Sequence, residues 1–517
     1  EGEGQEGLVS NTSYFSFDDD GPRAAVADAV LDTLVLDETR KVGTEQDGNS
    51  DPAGKASVSA DFAENFVTSI DYGTDGPGDV TYALALKVDG IGSGLFALQS
   101  GDKLGEGGDG DGYGQGAEIL LYQVGDVITG SVGGVDYFTI SVDSNTGVVT
   151  FTQLGSPVNN IWHAATGSDD DSSTLTLENA TDLQIVQTVT DADGDSSEAA
   201  VALGAGMVSI EDDGPRASIF LNPLLSKVVH DETAGLQQIP VFSALVNSDG
   251  NDVPGVAVFG SVANAGTDLS GFATSTLPVV LTLLSDAGED NEGATKVVSL
   301  ELTGSADSGL TTTNGQSISL SLEGDLVVGR VVGAGADTGK AAFAVSIDAN
   351  GFVSVAQYMS LNHPNHSGGV GSFDETVTLL GKINAVVTVT DGDGDVDVAS
   401  VPIGQVIGFD DDGPTAAIRL VGEVGVTHDE TAGLQNNDTG DLSVSGLFTG
   451  VSNPGGDLSP SGYAQSASAL VSTAGSNVGQ DQEGAGLVLS LSISNAASGL
   501  TTTDGQTITL VKEGLLI

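Results

Sequence analysis

Hydrophobic and polar residues alternate with a period of two in many short segments of the chain. The alternation is clear at residues 298–302, 383–389 and 487–493, where Ser, Thr, Glu or Asn mostly separate the apolar positions. Such a pattern places apolar side chains on one face of a β-strand. Segments 143–147 and 348–351 carry Asp, Asn and Gly between apolar runs and predict hairpin turns. The pattern therefore predicts an all-β protein.

Short sequence blocks recur in the same order along the chain, and the recurring Gly-Pro pairs lie 193 and 199 residues apart. The period predicts a repeat of about 195 residues, which is long enough for each repeat to be a whole domain. The blocks are an acidic triplet followed by Gly-Pro at 18–22, 211–215 and 410–414, Asp-Glu-Thr at 37–39, 231–233 and 429–431, and Thr-Asp-x-Asp-Gly-Asp at 190–195 and 390–395.

The blocks divide the chain into four parts. They predict the tail of a preceding repeat at 1–17, complete repeats at 18–210 and 211–409, and a truncated repeat at 410–517. Short alternating strands separated by turns are typical of β-sandwiches. We predict a tandem array of Ig-like or cadherin-like β-sandwich repeats, and the pattern leaves open whether each repeat holds one sandwich or two.

The charge of the chain excludes several functions. Its 517 residues include 73 acidic and 14 basic residues, which gives a formal net charge of −59. Nucleic acids and anionic membranes would repel such a chain, and no apolar run is long enough to span a bilayer. A hydrophobic content of 39% argues against disorder, and the absence of cysteine excludes disulfides and thiolate metal sites. Multivalent cations are the counterions that such a folded chain requires.

The Thr-Asp-x-Asp-Gly-Asp block places three aspartates on a tight turn after an apolar strand. Calcium takes six to eight oxygen ligands, and closely spaced aspartates supply several of them. The turn is not an EF-hand, because the twelfth position is Ala202 or Pro402 instead of Glu. The alternative is a solvated Asp-Gly turn. The candidate ligands are Asp191, Asp193, Asp195, Asp391, Asp393 and Asp395.

The other two acidic blocks are also candidate calcium ligands. The triplet before Gly-Pro has the alternative of a plain linker turn, and Asp-Glu-Thr has the alternatives of a helix cap or a solvated loop. The candidates in the first block are Asp19, Asp20, Asp212, Asp213, Asp411 and Asp412; those in the second are Asp37, Glu38, Asp231, Glu232, Asp429 and Glu430.

The spacing of the blocks predicts where they meet. About 17 residues separate the Gly-Pro block from Asp-Glu-Thr, and a similar interval separates the aspartate turn from the next Gly-Pro block. If each interval runs the length of one sandwich, all three kinds of block meet at junctions between repeats. This predicts Asp212 and Asp213 near the turn at 391–395, with Asp37 and Glu38 approaching from the preceding repeat.

The histidines do not indicate an enzyme. His163 and His363 occupy equivalent repeat positions, as do His230 and His428, so we interpret them as structural residues rather than catalytic residues or zinc ligands. No Ser-His-Asp spacing, Walker loop or paired-carboxylate site stands out from the acidic background. We predict that the chain is not an enzyme.

The three blocks in this order resemble the repeat domain of giant type I-secreted RTX-type adhesins of Gram-negative bacteria. The resemblance implies an extracellular, cell-surface location, calcium binding, and a role as a structural extender in cell adhesion and biofilms. The RTX nonapeptide array is missing, and the Gly-rich segment 107–112 is a single imperfect echo of it. The neighbouring repeats of the same chain are then its first partners.

Two other functions remain open at this point. The same repeats could pack laterally between copies of the chain in a self-assembling extracellular filament or matrix. A carbohydrate-binding or hydrolytic module is the least favoured class. Long complementary edge strands would favour the filament, and a lateral aromatic cleft would favour glycan binding.

Overall fold

The computed structural model describes most of the chain, and we name its parts by the repeats: the first unit (18–210), the second unit (211–409) and the third unit (410–517). The Gly-rich segment 107–112 lies outside the described residues. Those residues are 18–28, 31–38, 57–100, 114–154, 160–164, 171–224, 226–233, 235–236, 251–269, 271–364, 373, 375–422, 424–431, 442–457, 462–482 and 484–517.

Twelve described strands belong to the first unit. They are β1 (Leu34–Asp37), β2 (Ser57–Asp61), β3 (Pro77–Leu86), β4 (Ile91–Leu98), β5 (Gln115–Val124), β6 (Val127–Val132), β7 (Val135–Val142), β8 (Val148–Gln153), β9 (Ser172–Thr176), β10 (Leu183–Asp191), β11 (Ser196–Ala202) and β12 (Ala205–Glu211). Short 3-10 helices occupy Phe62–Asn65 and Ala180–Asp182.

The second unit holds the next fourteen described strands. They are β13 (Phe220–Leu221), β14 (Val228–Asp231), β15 (Gly271–Thr274), β16 (Val280–Leu281), β17 (Thr295–Leu302), β18 (Asp307–Thr311), β19 (Ser317–Glu323), β20 (Leu326–Val331), β21 (Ala341–Ile347), β22 (Val353–Gln357), β23 (Thr376–Thr378), β24 (Ile383–Thr390), β25 (Val396–Pro402) and β26 (Ile407–Asp410). Its 3-10 helices are Ala257–Ser261 and Gly404–Val406.

The third unit has few regular elements among its described residues. They are β27 (Arg419–Leu420), β28 (Val471–Ser472), β29 (Ala497–Thr501), β30 (Thr507–Thr509), the one-turn helix α1 (Leu442–Ser445) and a 3-10 helix at Gly446–Phe448. Within the described ranges, no helix has the length and apolar character that crossing a membrane requires.

The first two units share one topology, which confirms the repeat. Each has a six-stranded antiparallel sheet, in the order β2-β8-β7-β6-β5-β4 and β15-β22-β21-β20-β19-β18. Each also has a three-stranded antiparallel sheet, β11-β10-β3 and β25-β24-β17, that packs face to face on the larger one. The predicted hairpin turns at 143–147 and 348–351 join β7 to β8 and β21 to β22.

A third small sheet closes each unit. In it the first strand of more than two residues, called here the first strand of the unit, pairs in parallel with the last one: β1 with β12 and β14 with β26. The third member of each sheet, β9 or β23, pairs antiparallel to the last strand. Parallel pairing brings the carboxyl ends of the first and last strands to the same end of the unit. This arrangement determines where the acidic blocks meet.

Each of the first two units buries one continuous hydrophobic core between its sheets, so each of these complete repeats is one sandwich. The alternating pattern of β24 is buried at every second residue, as the sequence predicts. Phe343 and Phe409 lie at the centre of the second core, with ring centroids 5.0 Å apart. The first core has a similar pair, Phe138 and Phe151, at 5.2 Å. Burial of these strands on one face is the main source of stability in each unit.

The strand predicted at 487–493 is absent, and this prediction was wrong. The equivalent strand β17 forms hydrogen bonds with β24, which lies about 90 residues further along the second unit. Residues 410–517 contain no copy of that partner. An extended segment without a neighbour cannot form the ladder that defines a strand, because its backbone groups have no partner to pair with. Alternation predicted the face of the strand but not the presence of its partner.

One close contact in the six-stranded sheet yields a test of the fold. Gly329 lies opposite Phe343 on the neighbouring strand, and a Cβ at this glycine would lie 2.5 Å from the ring. We expect Gly329→Ala to destabilise the second unit by about 1–3 kcal/mol, because the ring must leave its packed position. Gly260→Ala is the control, since nothing lies within 4 Å of its Cβ position.

Chemical denaturation monitored by fluorescence and circular dichroism measures both variants. The control should differ from the parent protein by less than about 0.5 kcal/mol. Equal destabilisation by the two substitutions would contradict the proposed packing of the ring against the glycine.

Candidate metal centres at the repeat junctions

The parallel pairing of first and last strands brings two acidic blocks together. Asp37 is the register partner of Glu211, and the backbone N–H of Glu38 donates to the Glu211 carbonyl at 2.8 Å. In the next unit, the N–H of Glu232 donates to the Asp410 carbonyl at 3.0 Å. The glutamate of each Asp-Glu-Thr block therefore lies beside the acidic triplet that begins the following unit.

Each of these glutamates is buried and held on one side by a glutamine. The side-chain amide of Gln153 donates to Glu38 Oε1, and that of Gln357 donates to Glu232 Oε1. The backbone N–H of Leu361 donates to Glu232 Oε1 as well, at 3.1 Å. One oxygen is thus fixed within the unit, which directs the carboxylate toward the junction.

The aspartate turns have the same local geometry in both copies. The first aspartate accepts two backbone hydrogen bonds through Oδ1: Asp391 from Gly394 at 2.9 Å and from Asp395 at 2.7 Å. Gly394 has a φ of 113°, a value that L side chains rarely adopt. The turn at Asp191 repeats these bonds at 3.0 and 2.9 Å. The turn thus orders three carboxylates on a short bend before any ion is considered.

The third acid of each triplet has a structural role. Asp20 accepts a hydrogen bond from the backbone N–H of Thr74, Asp213 from Glu289 and Asp412 from Gln480, at 3.0, 2.8 and 2.9 Å. In each case a glycine with positive φ precedes the donor residue. These aspartates tie the linker to a loop of the following unit.

Between the first and second units, carboxylates from both sides converge on the second acid of the triplet. We call this the first junction cluster. Ligand atoms of Glu38, His163, Asp212 and Asp290 lie within 4.8 Å of one another. A second group, formed by Asp212, Asp393 and Asp395, meets the same criterion, so Asp212 belongs to both. Glu38 and His163 come from the first unit, and the others come from the linker and the second unit.

Several oxygens of the first junction cluster are buried without a hydrogen-bond partner among the described residues. They are Asp212 Oδ2, both carboxylate oxygens of Asp290, Asp391 Oδ2 and Asp393 Oδ1. The four side chains are 0–3% exposed. Burying a carboxylate without hydrogen bonds or a counterion is costly, so these oxygens are candidate ligands of a cation.

The pKa values of these carboxylates are raised, because the groups are buried and lie close to one another. Burial, reinforced by the charges of Asp290 and Asp393, raises the pKa of Asp212 to about 12. Burial and the neighbouring Asp393 raise the pKa of Asp391 to about 9. The pKa of Asp290 is also raised well above its usual value, mainly by burial and by the charge of Glu38. A cation among these carboxylates would lower their pKa values and favour the ionised forms.

The junction between the second and third units has a smaller cluster, in which Glu232, Asp411 and Asp412 lie together. Burial raises the pKa of Asp411 to about 7 and raises that of Glu232 well above its usual value. Here Asp481, the repeat equivalent of Asp290, accepts a hydrogen bond from Thr313 Oγ1 at 2.8 Å. This junction is therefore better satisfied by protein groups than the first.

The corresponding cluster at the start of the first unit provides a comparison within the chain. Asp19, Asp75 and Asp193 form it, as the equivalents of Asp212, Asp290 and Asp393. All three are exposed, whereas their equivalents in the first junction cluster are buried. The two clusters differ in whether a described unit precedes them. Glu38 and His163 of the first unit cover the aspartates of the first junction cluster. Burial of these acids is thus a property of the junction.

The structure confirms the predicted meeting of the blocks for Asp212 and Glu38, whereas Asp213 accepts a hydrogen bond from Glu289 instead of joining the turn. Asp212 lies near Asp393 and Asp395, and Glu38 approaches from the preceding unit. Other candidates do not join a cluster: Asp231 and Asp429 instead each accept a hydrogen bond from the backbone N–H of the threonine two residues later, at 2.7 and 2.8 Å. Asp37 is buried beside the cluster but is not among its close ligand atoms, and Glu430 is exposed.

Sequence reasoning missed two members of the first junction cluster. Asp290 belongs to a Gly-x-Asp pattern that recurs at 73–75, 288–290 and 479–481, which a full alignment of the repeats could have found. His163 was interpreted as structural because His363 matches it. That interpretation did not anticipate the carboxylates around His163.

The sequence profile of one family, described as "Domain of unknown function (DUF5801)", matches the chain twice. The matched residues are 33–204 and 227–404, which cover β1–β11 of the first unit and β14–β25 of the second. No curated protein matches the chain. The double match supports the tandem repeat.

The raised pKa values predict how metal-free protein responds to pH. The folded-state pKa values of Asp212 and Asp391 lie above the unfolded value of 3.8, so the folded state binds more protons than the unfolded state above about pH 4. The contribution of these groups is therefore present at low pH and is lost as pH rises. Without divalent ions, melting temperatures should fall from about pH 5 to about pH 9.

Asp212→Asn is the control for this experiment, because its amide does not titrate. Scanning calorimetry in ion-stripped buffer should show a weaker pH dependence for this variant than for the parent protein. An identical slope for the two proteins would show that the cluster is not responsible for the dependence.

Proposed function

The chain belongs to the DUF5801 family, and from this premise we propose that its tandem repeats form a stiff extracellular extender whose junctions are closed by calcium. The observation that supports the proposal most is the first junction cluster, in which buried carboxylates of two units face one another without enough hydrogen-bond donors. A cation is the natural partner for such a set. The proposed ion links two units rather than two loops of one unit.

The donor set of the aspartate turn suits calcium. Asp212, Asp393 and Asp395 supply only oxygen ligands, and the free Oδ2 of Asp391 lies on the same turn. Calcium accepts six to eight oxygens in flexible geometry, so carboxylates with short spacing fit it well. Bound there, the ion would neutralise the repulsion between the linker and the turn. The turn itself is already ordered by its backbone hydrogen bonds, which lowers the entropic cost of binding.

Direct contacts across the same junction make it suitable for a stiff joint. The backbone N–H of Gly114 donates to the Gly392 carbonyl at 3.2 Å, and the side-chain amide of Asn160 donates to Glu292 at 3.2 Å. These bonds require the two acidic surfaces to approach closely. Ions that bind only the closed junction stabilise it by mass action, and without them like charges separate the units.

The extender role follows from the arrangement of the units. Tandem domains without a clamp move relative to one another, whereas clamped junctions transmit orientation along the chain. The proposed setting is the surface of a bacterial cell, as part of a large secreted adhesin, in line with the resemblance of the acidic blocks. We assign no enzymatic role to this segment.

A self-assembling filament is the second candidate, and one surface of the second unit favours it. On the outer face of the β17-β24-β25 sheet, Val297, Val396 and Val398 are each more than half exposed. By register this face carries one carboxylate, Glu301 opposite Asn384, so a second copy could approach it with less repulsion than the acidic junctions would cause. Lateral packing would use this face while the junction clusters remain as described.

A matched pair of variants tests the proposal. In the first, Asp391, Asp393 and Asp395 are replaced by Asn; in the second, the equivalents Asp191, Asp193 and Asp195, of which Asp193 and Asp195 are exposed, are replaced by Asn. Asn keeps the Oδ1 acceptor of the turn but removes the charge that binds calcium. Small-angle scattering with calcium should give a shorter maximum dimension for the first variant only, since only its turn lies in a junction between described units.

Circular dichroism and thermal melting verify that both variants remain folded. A parent protein whose scattering profile is the same in calcium and in chelator would overturn the clamp. Equal shortening of the two variants would also contradict it, because the exposed turn contacts no preceding unit in the described structure. A calcium-dependent increase in cross-section or mass would favour the filament.

A further inference from the structure

The first junction cluster contains a nitrogen donor that a calcium site does not need. His163 is 1% exposed, and neither of its ring nitrogens has a hydrogen-bond partner among the residues that the structure describes. Its Nδ1 lies 3.8 Å from Glu38 Oε2, 3.6 Å from Asp212 Oδ1 and 3.9 Å from Asp290 Oδ2. A buried imidazole is thus directed at three carboxylates but is too distant to form a hydrogen bond with any of them.

This donor set differs in chemistry from the aspartate turn. Calcium is bound by oxygen, whereas zinc and related first-row transition ions are bound by imidazole nitrogen together with carboxylate oxygen. Structural zinc sites are four-coordinate and closed, with metal–ligand distances of about 2.0–2.2 Å for nitrogen and oxygen. Such bonds place tetrahedral ligands about 3.4 Å apart. The three distances from His163 Nδ1 to carboxylate oxygens, 3.6–3.9 Å, exceed this value by only a few tenths of an ångström.

The position of His163 is fixed by both units. Its backbone N–H donates to Asp393 Oδ2 of the second unit at 3.3 Å. Ser173 Oγ of the first unit donates to the carbonyl of the preceding residue, Trp162, at 3.2 Å. The His163 residue therefore contacts both groups of the cluster. One group is Asp212, Asp393 and Asp395; the other contains Glu38 and Asp290, and Asp212 belongs to both.

The equivalent histidine at the other junction has a different environment. The ring nitrogens of His363 face backbone carbonyl oxygens, Nδ1 that of Leu361 at 3.0 Å and Nε2 that of Phe409 at 3.2 Å. His363 also approaches one carboxylate, since its Nδ1 lies 3.4 Å from Asp411 Oδ1. The two histidines still differ: neither ring nitrogen of His163 has a hydrogen-bond partner among the described residues and its Nδ1 lies near three carboxylates, whereas each ring nitrogen of His363 has a backbone carbonyl within hydrogen-bond distance.

We propose that Glu38, His163, Asp212 and Asp290 form a second cation site, specific for zinc or a related first-row transition ion, beside the oxygen-only calcium site. The two sites share Asp212 as a bridging carboxylate. This inference rests on the proposed function only in that calcium occupies the neighbouring site. The zinc-class ion would join a glutamate and a histidine of the first unit to two aspartates of the second.

Metal binding to the untagged chain tests the proposal. After removal of metals, the protein is saturated with calcium and titrated with zinc by calorimetry, and with cobalt while its visible absorption is recorded. The proposal predicts a single tight zinc site per chain and the intense visible bands of four-coordinate cobalt. His163→Asn should weaken zinc binding by at least about 100-fold, the upper end for losing a residue that only supports a ligand. His363→Asn should leave zinc binding unchanged.

Asp290→Asn is a second variant, for which the same loss of zinc binding is expected with His163 intact. Calcium-dependent scattering is measured on all variants, so that the two proposals are judged separately. Calcium stiffening without tight zinc binding would overturn this inference and leave the calcium clamp standing. Zinc binding that is equal in His163→Asn and the parent protein would also overturn it.

Discussion

The close approach of like charges at the repeat junctions is the constraint on which the rest of the structure depends. A chain with a net charge of −59 concentrates carboxylates where one unit meets the next and covers several of them from solvent. The same aspartates are exposed where no described unit precedes them. Their burial therefore comes from the junction and not from the fold of a single unit. A cation is the partner that the proposed function assigns to these carboxylates.

The topology of the unit creates this constraint. Because the first and last strands of each unit are parallel, the Asp-Glu-Thr block ends beside the acidic triplet of the next unit. The buried glutamines fix one oxygen of each glutamate, and the aspartate turn is ordered by its own backbone. Each half of the junction is ordered within its own unit, and under the proposed function a cation and a few direct hydrogen bonds join the two halves. This division explains why the acidic blocks recur at the spacing of whole domains.

The sequence predicted those parts of the structure that local chemistry controls. Alternation identified β17 and β24, and the block spacing predicted the meeting of Glu38, Asp212 and the aspartate turn. It did not predict the order of the six-stranded sheet, because that order depends on pairings between distant strands. Residues 487–493 show the same limit. Their alternation is clear, but a local pattern does not reveal whether a partner strand is present.

The remaining failures concern side chains whose surroundings differ between copies. Asp290 is one acid among 73, and only its repeated position distinguishes it. His163 and His363 match in sequence, yet His163 lies near three carboxylates without a hydrogen bond, whereas His363 lies near two backbone carbonyls and one carboxylate, that of Asp411. Leu98 occupies the place of Thr313, which bonds to Asp481 at the other junction, so no hydroxyl is available there for Asp290. Such differences arise from contacts between units, which a single repeat does not reveal.

The distance between the first two units, measured by pulsed electron spin resonance, tests the central claim most directly. The chain has no cysteine, so spin labels can be attached at exposed positions of the parent sequence, Val124→Cys in the first unit and Leu283→Cys in the second. A pair within the first unit, at Val88 and Val124, is the control. The cation clamp predicts a narrow inter-unit distance distribution in calcium that broadens in chelator and narrows again when calcium is restored, while the control pair stays constant. An inter-unit distribution of the same width in calcium and in chelator would contradict it.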